Sequence, residues 1–225
     1  MLVISTWLWG GKYTPEDVMK LRRGVARNLR QPHRFLVVTE KNRSHQFEEG
    51  VERANINDLQ LLAFKGCFAR MRMFDYGWQR KRKIDDRLAC LDIDMVITGP
   101  LDKIFDRPEP FVILSGANSV NPCPFNGSVM MLRPGYHEEV WTSFSLNEAK
   151  KIKFYKFPDD QGWLWHKIPD AATWKCGSKS GIYAYRKPGW PTNDVLPRDA
   201  SIVAFPGARQ PKDHTDVSWV RENWV

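Results

Sequence analysis

The stretch Arg87-Leu-Ala-Cys-Leu-Asp92-Ile-Asp94 decides our prediction of the fold. Residues 88–91 form a short apolar run bounded by charged residues, which is the pattern of a buried strand. The run ends at two aspartates, so their carboxylates are expected at the carboxyl end of that strand. Ligands of open α/β sheets bind in the crevice beyond such ends. Two neighbouring carboxylates repel each other unless a positive charge separates them, and a divalent cation that carries phosphate oxygens suits that role.

The residues before this stretch predict a parallel sheet. Residues 2–6 are rich in β-forming side chains and precede a Gly-Gly loop. Thr14-Pro15-Glu16-Asp17 has the residues that begin a helix, with Thr14 as the N-cap. A second apolar run covers residues 35–39. A strand, a helix and a strand within about forty residues form a βαβ unit, which implies a parallel sheet.

The rest of the chain continues this alternation of elements. Its patterns predict strands over residues 59–64, 111–114, 128–132, 182–185 and 202–205. They predict helices over residues 67–78 and 138–148, and a further helix that begins at Asp159-Asp160. We therefore expect an α/β protein with a single, mixed but mostly parallel sheet flanked by helices, in one domain over residues 1–225.

Composition limits the class of partner. The formal net charge of +8 suits an anionic partner, which is a nucleotide, a nucleic acid or an anionic membrane surface. The run Arg80-Lys-Arg-Lys83 lacks interleaved aromatic residues, and Asp85 and Asp86 follow it directly. A solvated loop is therefore favoured over a nucleic-acid site, and we expect no nucleic-acid partner.

The sequence also indicates a compartment. No apolar run approaches the ~18 residues of a membrane span, and the first residues lack the features of a secretion signal. The four cysteines are scattered without a Cys-x-x-Cys pattern, which argues against a zinc site and against a disulfide framework. We expect a cytoplasmic protein.

Four segments, in this order, resemble the GT-A glycosyltransferases, specifically the bacterial enzymes similar to glycosyltransferase family 8. Cys90-Leu-Asp-Ile-Asp-Met-Val-Ile-Thr-Gly-Pro-Leu-Asp102 resembles the Asp-x-Asp signature of that family. Phe125-Asn-Gly-Ser-Val-Met-Met131 resembles a second conserved segment, and Asp160-Gln161 resembles the Asp-Gln motif. Residues 202–211 with Trp219 resemble the closing segment. An Asp-x-Asp pattern alone is expected about once by chance in such a chain, so the resemblance depends on the four segments together.

The resemblance implies a GT-A fold, with a nucleotide-binding half from residue 1 to about 105 and an acceptor-binding half after it. It implies a transferase of the hexosyltransferase type that moves a sugar from a nucleotide-sugar donor, expected to be a UDP-sugar, to a glycan or lipid-linked acceptor. Retention of the anomeric configuration, Mn²⁺ or Mg²⁺ as cofactor and a role in polysaccharide biosynthesis belong to the same expectation. If the enzyme inverted the configuration instead, Asp159 or Asp160 would be needed as a base.

The resemblance also implies roles for individual residues. Asp92 and Asp94 are expected to hold the metal, which would neutralise the charge that develops on the departing nucleoside diphosphate. Asp160 and Gln161, with Asn126, are expected near the anomeric carbon as catalytic residues. The residues expected to contact the donor are Thr6, Tyr13, Arg70, Asp92, Gly207 and Arg209, with Tyr13 as a candidate to stack on the base.

The closing segment departs from the family pattern. The family's metal-binding histidine is absent at both possible positions, Ala204 and Pro206, and Gln210 stands in place of the following lysine. The candidates to replace these contacts are Arg209, Lys212 and His214, and His214 is our predicted third metal ligand. The same losses leave a second hypothesis open, namely a non-catalytic protein of the same fold that binds nucleotide sugars or glycans. A basic surface with exposed aromatic residues would also suit peripheral contact with an anionic membrane.

Overall fold

The computed structural model describes residues 1–117, 121–187, 189–191 and 193–225. Its strands are β1 (Leu2–Leu8), β2 (His33–Thr39), β3 (Glu52–Asn55), β4 (Arg87–Leu91), β5 (Met95–Ile97), β6 (Phe111–Ser115), β7 (Phe125–Leu132), β8 (Ala172–Lys175), β9 (Ile182–Ala184) and β10 (Ile202–Ala204). Its helices are α1 (Pro15–Asn28), α2 (Leu59–Leu62), α3 (Tyr76–Lys81), α4 (Asp102–Phe105), α5 (Glu139–Thr142), α6 (Leu146–Ala149), α7 (Asp160–Lys167) and α8 (Ser218–Asn223). Three 3₁₀ segments cover Lys41–Gln46, Phe68–Phe74 and Pro211–His214.

A seven-stranded sheet in the order β3-β2-β1-β4-β7-β6-β8 forms the centre of the structure. Every neighbouring pair is parallel except the two pairs that include β7, which runs opposite to β4 and to β6. The mostly parallel sheet flanked by helices is therefore confirmed. A second, three-stranded sheet in the order β5-β10-β9 lies beside it, and of its strands the sequence pattern predicts only β9 and β10.

The βαβ unit forms as the sequence predicts. Thr14 and Asp17 make a reciprocal capping box at the start of α1, in which the Thr14 hydroxyl accepts from the Asp17 amide and the Asp17 carboxylate accepts from the Thr14 amide. The buried face of α1 includes Val18, Leu21 and Val25. Helix α1 thus covers one face of the sheet and connects β1 to the parallel strand β2.

Apolar side chains fill both faces of the sheet because successive residues of a strand point to opposite sides. In β4, Ala89 and Leu91 belong to the cluster that includes α1, whereas Leu88 and Cys90 belong to the cluster on the opposite face. A third cluster, rich in aromatic rings, packs on the small sheet. Strand β4 is therefore fully buried, and Asp92 follows it at the edge of the sheet.

Three predicted elements differ from the structure. Residues 59–64, predicted as a strand, contain the short helix α2. Leu59 and Phe64 are exposed in this segment, so its apolar residues do not enter the sheet. Residues 138–148, predicted as one helix, form the separate helices α5 and α6.

The predicted helix over residues 67–78 is also divided. The structure has the 3₁₀ segment Phe68–Phe74 and then α3, with Asp75 in an extended conformation between them. The Asp75 carboxylate accepts from the Trp78 amide at 3.1 Å and so caps α3. Asp75 thus begins a new helix in the middle of the predicted one, because its side chain satisfies an amide that would otherwise lack a partner.

Candidate active site

A cavity of about 550 Å³ opens at the edge of the sheet where β1 and β4 end. Strands β1 and β4 are parallel and pair up to Ser5 and Cys90, so the residues that follow them emerge side by side. Strand β7, which runs in the opposite direction, contributes its first residues to the same edge. Asp92 and Asp94, which we call the acidic pair, therefore line one cavity together with residues from distant parts of the chain. The sequence predicts a ligand site at this edge of the sheet.

Arg70 links the acidic pair to the Asp-Gln motif. Its side chain is only 4% exposed. Nε and Nη2 of Arg70 donate to Asp160 Oδ2 at 2.9 and 2.5 Å, and Nη1 donates to Asp92 Oδ1 at 2.5 Å. Nη1 also donates to the Gly127 carbonyl at 2.9 Å. One buried guanidinium thus neutralises two carboxylates that lie 68 positions apart in the sequence.

Asp94 has different partners. The Tyr13 hydroxyl donates to Asp94 Oδ2 at 2.5 Å, and Lys12 Nζ lies 3.6 Å from the same oxygen. Burial and the neighbouring Asp92 raise the pKa of Asp94 to about 6, although Tyr13 and Lys12 lower it. Burial and Asp94 raise the pKa of Tyr13 as well, so its hydroxyl stays protonated and remains a donor.

The Asp-Gln motif opens α7. The carboxylate of Asp159 caps this helix by accepting from the Gly162 amide at 2.8 Å. Gln161 is held at both ends, because its Nε2 donates to Asp159 Oδ2 at 2.9 Å and its Oε1 accepts from the Gly127 amide at 3.1 Å. Burial raises the pKa of Asp160 to about 7 even though the Arg70 guanidinium lowers it.

The remaining residues expected at the site lie in different places. Asn126 lines the cavity and accepts from the Ser128 amide through Oδ1 at 3.0 Å. Gly207 also lines the cavity, and its carbonyl accepts from Lys12 Nζ at 3.4 Å. Arg209 is not among the residues that line the cavity.

Thr6 does not contact the cavity, contrary to its expected role with the donor. Its side chain is fully buried, and its hydroxyl donates to the Leu91 carbonyl at 2.8 Å. This bond connects β1 to β4 one residue before the acidic pair. Thr6 therefore positions the end of β4, and Trp7, the next residue, lines the cavity instead.

His214 is likewise separated from the acidic pair, so its prediction as a third metal ligand is wrong. Its ring packs against Tyr185 and Phe205, with centroid separations of 5.0 and 5.7 Å. No three His, Cys, Asp or Glu side chains within the described part of the chain form a group that would hold a metal ion. His214 does not join the acidic pair because the 3₁₀ segment Pro211–His214 directs its imidazole into the aromatic cluster of the small sheet.

Asp92 and Asp94 still fit a hard divalent cation. Mg²⁺ typically binds one or two protein carboxylates and completes its shell with substrate phosphates and water. Each carboxylate offers about four acceptor positions, so the contacts with Arg70 and Tyr13 leave capacity for a cation.

Comparison with known proteins agrees with this architecture. No family model matches the chain, and no curated protein matches it in sequence. A solved structure of an active-site mutant of LgtC matches with a TM-score of 0.63 and 12% identity, over 97% of this chain and 91% of that one. The galactosyltransferase LgtC in complex with donor and acceptor sugar analogs matches with a TM-score of 0.59 and 12% identity, over 98% and 93% of the two chains. The chain has the fold of these glycosyltransferases.

A third structure with the GT-A fold supports the same conclusion. The glycosyltransferase GlyE of Streptococcus pneumoniae matches with a TM-score of 0.60 and 13% identity, over 93% of this chain and 56% of that one. The GT-A fold expected from the four sequence segments is therefore confirmed.

Within this GT-A fold, the structure adds cavity residues that the sequence patterns do not indicate. Lys12 follows the Gly-Gly loop and contacts Asp94, Tyr13 and Gly207. Trp9 also lines the cavity. The sequence does contain a signal for this residue, because Lys12 comes directly after the Gly-Gly loop that follows β1. That position predicts a basic side chain at the carboxyl edge of the sheet.

We expect Gly127→Ala to destabilise the protein through Arg70. A Cβ atom at Gly127 would lie 2.6 Å from Arg70 Nη2 and 3.5 Å from Asp160 Oδ2, so the guanidinium must move away from its carboxylates. Overpacking of this kind costs about 1–3 kcal/mol of the free energy of unfolding. Urea unfolding measures this change.

Gly11→Ala is the matched control, because a Cβ atom at Gly11 meets nothing within 4 Å. We expect its free energy of unfolding to stay within about 0.5 kcal/mol of wild type. Equal stability of Gly127→Ala and wild type would show that the position of the guanidinium is not constrained by β7.

Proposed function

We propose that this protein is a metal-dependent glycosyltransferase that moves a sugar from a nucleotide-sugar donor to a glycan or lipid-linked acceptor, with retention of configuration. A UDP-sugar is the proposed donor. The observation that carries the proposal is the position of the acidic pair in a GT-A fold. Asp92 and Asp94 line the cavity at the carboxyl ends of parallel strands, where Arg70 joins Asp92 to Asp160 of the Asp-Gln motif.

The chemistry requires positive charge beside the departing diphosphate. A Mg²⁺ or Mn²⁺ ion held by Asp92 and Asp94 would supply this charge as a Lewis acid. Tyr13 orients the Asp94 carboxylate by donating a hydrogen bond to it. Lys12, whose side chain is 48% exposed at the cavity wall, adds a cation that is able to reach a phosphate.

The second half of the site would hold the donor sugar. Asp160 is fixed by two hydrogen bonds from Arg70, and Gln161 is fixed by Asp159 and by the Gly127 amide. Rigid groups of this kind stabilise developing charge without reorganisation during the reaction. We assign Asp160, Gln161 and Asn126 to positioning of the donor sugar and stabilisation of the transition state.

The proposal extends to the whole chain and its location. We propose one GT-A domain over residues 1–225, in which Asp92 and Asp94 belong to the nucleotide-binding half and Asp160 and Gln161 belong to the acceptor-binding half. None of the four cysteines, all of which lie in the described part of the chain, forms a disulfide, which fits a reducing compartment such as the cytoplasm.

A non-catalytic protein that binds nucleotide sugars or glycans is the second candidate. It is favoured by one observation, which is that His214 lies in the aromatic cluster and brings no third protein ligand to the acidic pair. Such a protein would bind the donor without cleaving it.

Thermal unfolding with a panel of nucleotide sugars, each with and without Mn²⁺ or Mg²⁺, tests the proposal. A ligand that binds only the folded state at a hundred times its Kd adds about 2.7 kcal/mol of stability. For a chain of this size that amount raises Tm by about 5–10 °C. We expect this shift with one nucleoside diphosphate sugar and only in the presence of the metal.

The other outcomes separate the candidates. A metal-dependent shift with neither transfer nor hydrolysis of the donor would favour the binding protein. A shift that needs no metal would contradict the assignment of Asp92 and Asp94 as metal ligands. No shift with any donor would overturn the proposal.

A further inference from the structure

Two neighbouring segments form an unusual surface at the mouth of the cavity. They cover residues 59–65 and 150–157, and we call them the aromatic–lysine rim. Phe64, Tyr155 and Phe157 are 39%, 41% and 44% exposed in this rim. Large apolar rings on a water-exposed surface indicate a binding function when they are grouped rather than scattered.

Direct contacts hold the two segments of the rim together. Just beyond the ends of the two segments, the Asp160 amide donates to the Gly66 carbonyl at 2.8 Å. Lys150 Nζ lies 4.1 Å from the centroid of the Phe64 ring, and Lys65 Nζ lies 5.9 Å from that of Phe157. The rim is therefore one continuous surface, although its two segments are far apart in the sequence.

The charge of the rim has a single sign. Neither range contains an acidic residue. Lys151 is paired with Glu148 at 2.6 Å. Within the described residues no carboxylate lies within ion-pair distance of the other four rim lysines, which are Lys65, Lys150, Lys153 and Lys156. The rim thus combines exposed aromatic rings with cations that are available to an anionic partner.

The rim adjoins the candidate active site. Phe64, Lys65 and Phe157 line the same cavity as Asp92 and Asp94. A partner bound to the rim would therefore face the cavity opening. The described residues contain no helix that is long and apolar enough to cross a bilayer, so contact of this surface with a membrane would be peripheral.

We propose that the aromatic–lysine rim docks on a membrane surface that contains anionic lipids, with the cavity facing the bilayer. Aromatic rings insert at the level of the lipid headgroups, and lysines are attracted to anionic lipids. The rim has both kinds of side chain, since its exposed aromatic rings suit the headgroup level and its lysines suit the anionic lipids. Because the rim adjoins the cavity, docking would present a lipid-linked acceptor to the site, and this last step rests on the proposed glycosyltransferase function.

Co-sedimentation of the protein with phosphatidylcholine vesicles, with and without phosphatidylserine, tests the proposal at low and at high salt. We expect binding only to the vesicles with phosphatidylserine, and weaker binding at high salt. Each lysine near such a surface strengthens binding by about fivefold. The triple variant Lys150→Gln, Lys153→Gln, Lys156→Gln should therefore bind about a hundredfold more weakly.

The matched control removes the same charge elsewhere. The triple variant Arg80→Gln, Lys81→Gln, Lys83→Gln changes three exposed cations of a different surface. We expect it to retain binding to within a few-fold of wild type. Equal loss in both triple variants would show that net charge, and not the rim, attracts the protein to lipid, and would overturn the proposal.

A second pair of variants tests the aromatic part. Tyr155→Ala with Phe157→Ala should reduce vesicle binding at high salt, whereas Tyr76→Ala with Tyr136→Ala, at two other exposed rings, should not. Absence of wild-type binding to any vesicle, or binding only to soluble oligosaccharides or to a protein, would overturn the membrane assignment. Neither donor nor acceptor is present in this assay, so its outcome is independent of whether the protein transfers a sugar.

Discussion

Asp94→Ala is expected to lower sugar transfer by at least about a thousandfold, since it removes one of the two carboxylates proposed to hold the charge-neutralising cation. Metal-dependent donor binding should be lost with it. Measurement of kcat/KM together with calorimetric titration of the donor, with and without Mn²⁺, checks both effects. Retained transfer would overturn the assignment of Asp94 to the metal.

The same substitution should leave the fold intact. Burial and Asp92 raise the pKa of Asp94 to about 6, above the 3.8 of an ordinary aspartate. The folded state therefore holds this proton more tightly than the unfolded chain, and the wild-type protein loses stability as the pH rises from about 4 through 6. Asp94→Ala removes this loss, so its Tm at pH 8 should equal or exceed that of wild type.

Asp86→Ala is the matched control for Asp94→Ala. The Asp86 side chain is 61% exposed, and its one ion pair with a described residue is with the N-terminal amino group at 3.3 Å. An exposed pair of this kind contributes little to stability. We expect wild-type transfer and wild-type metal dependence from this variant.

Arg70→Met should have the largest effect on stability. It leaves Asp92 and Asp160 near each other without the guanidinium that neutralises them. Removal of one partner from a buried ion pair costs about 3–5 kcal/mol of the free energy of unfolding, which corresponds to a fall in Tm of about 6–20 °C for a chain of this size. Transfer should be lost as well, because both halves of the site depend on Arg70.

The effect of Arg70→Met should depend on pH. Burial already raises the pKa of Asp160 to about 7, although Arg70 lowers it. Without Arg70 this pKa rises further, so ionisation of Asp160 in the folded state becomes more costly. The unfolded chain ionises near pH 4, and the variant should therefore lose more stability relative to wild type at pH 8 than at pH 5.

Two further variants make this prediction specific. Asp160→Asn, added to Arg70→Met, should recover part of the lost stability at pH 8 because it removes one uncompensated charge. Arg72→Met changes an arginine of the same 3₁₀ segment whose partners are Asp58 and Asp75 and whose side chain is 25% exposed. We expect a smaller cost from Arg72→Met, and an equal cost would contradict the central role of Arg70.

The sequence patterns predict the centre of the fold well. The strands near residues 2–6, 35–39, 88–91 and 111–114 are present, and the capping box at Thr14 begins α1 as expected. These elements depend on local signals, namely apolar runs and the hydrogen bonds of a helix N-terminus. Their parallel pairing follows from the order of strand, helix and strand.

Segments that connect the sheet to the cavity were predicted less well. Residues 59–64 contain the short helix α2 in place of a strand, and Asp75 divides the predicted helix over residues 67–78. Short apolar runs suit either a strand or a helix, and only the neighbouring elements choose between them. The second sheet was also missed in part, because the three residues of β5 are too few to give a pattern.

By itself, the sequence determined that Asp92 and Asp94 stand at the carboxyl end of a buried strand, because the apolar run before them is bounded by charged residues and is too short for a helix. Only the tertiary structure decided what these carboxylates contact. Arg70 reaches Asp92 and Asp160, and Tyr13 reaches Asp94, across large separations in the chain. Whether a side chain such as His214 enters a polar cavity or an aromatic cluster depends on how distant elements pack, and spacing along the chain contains no record of that packing.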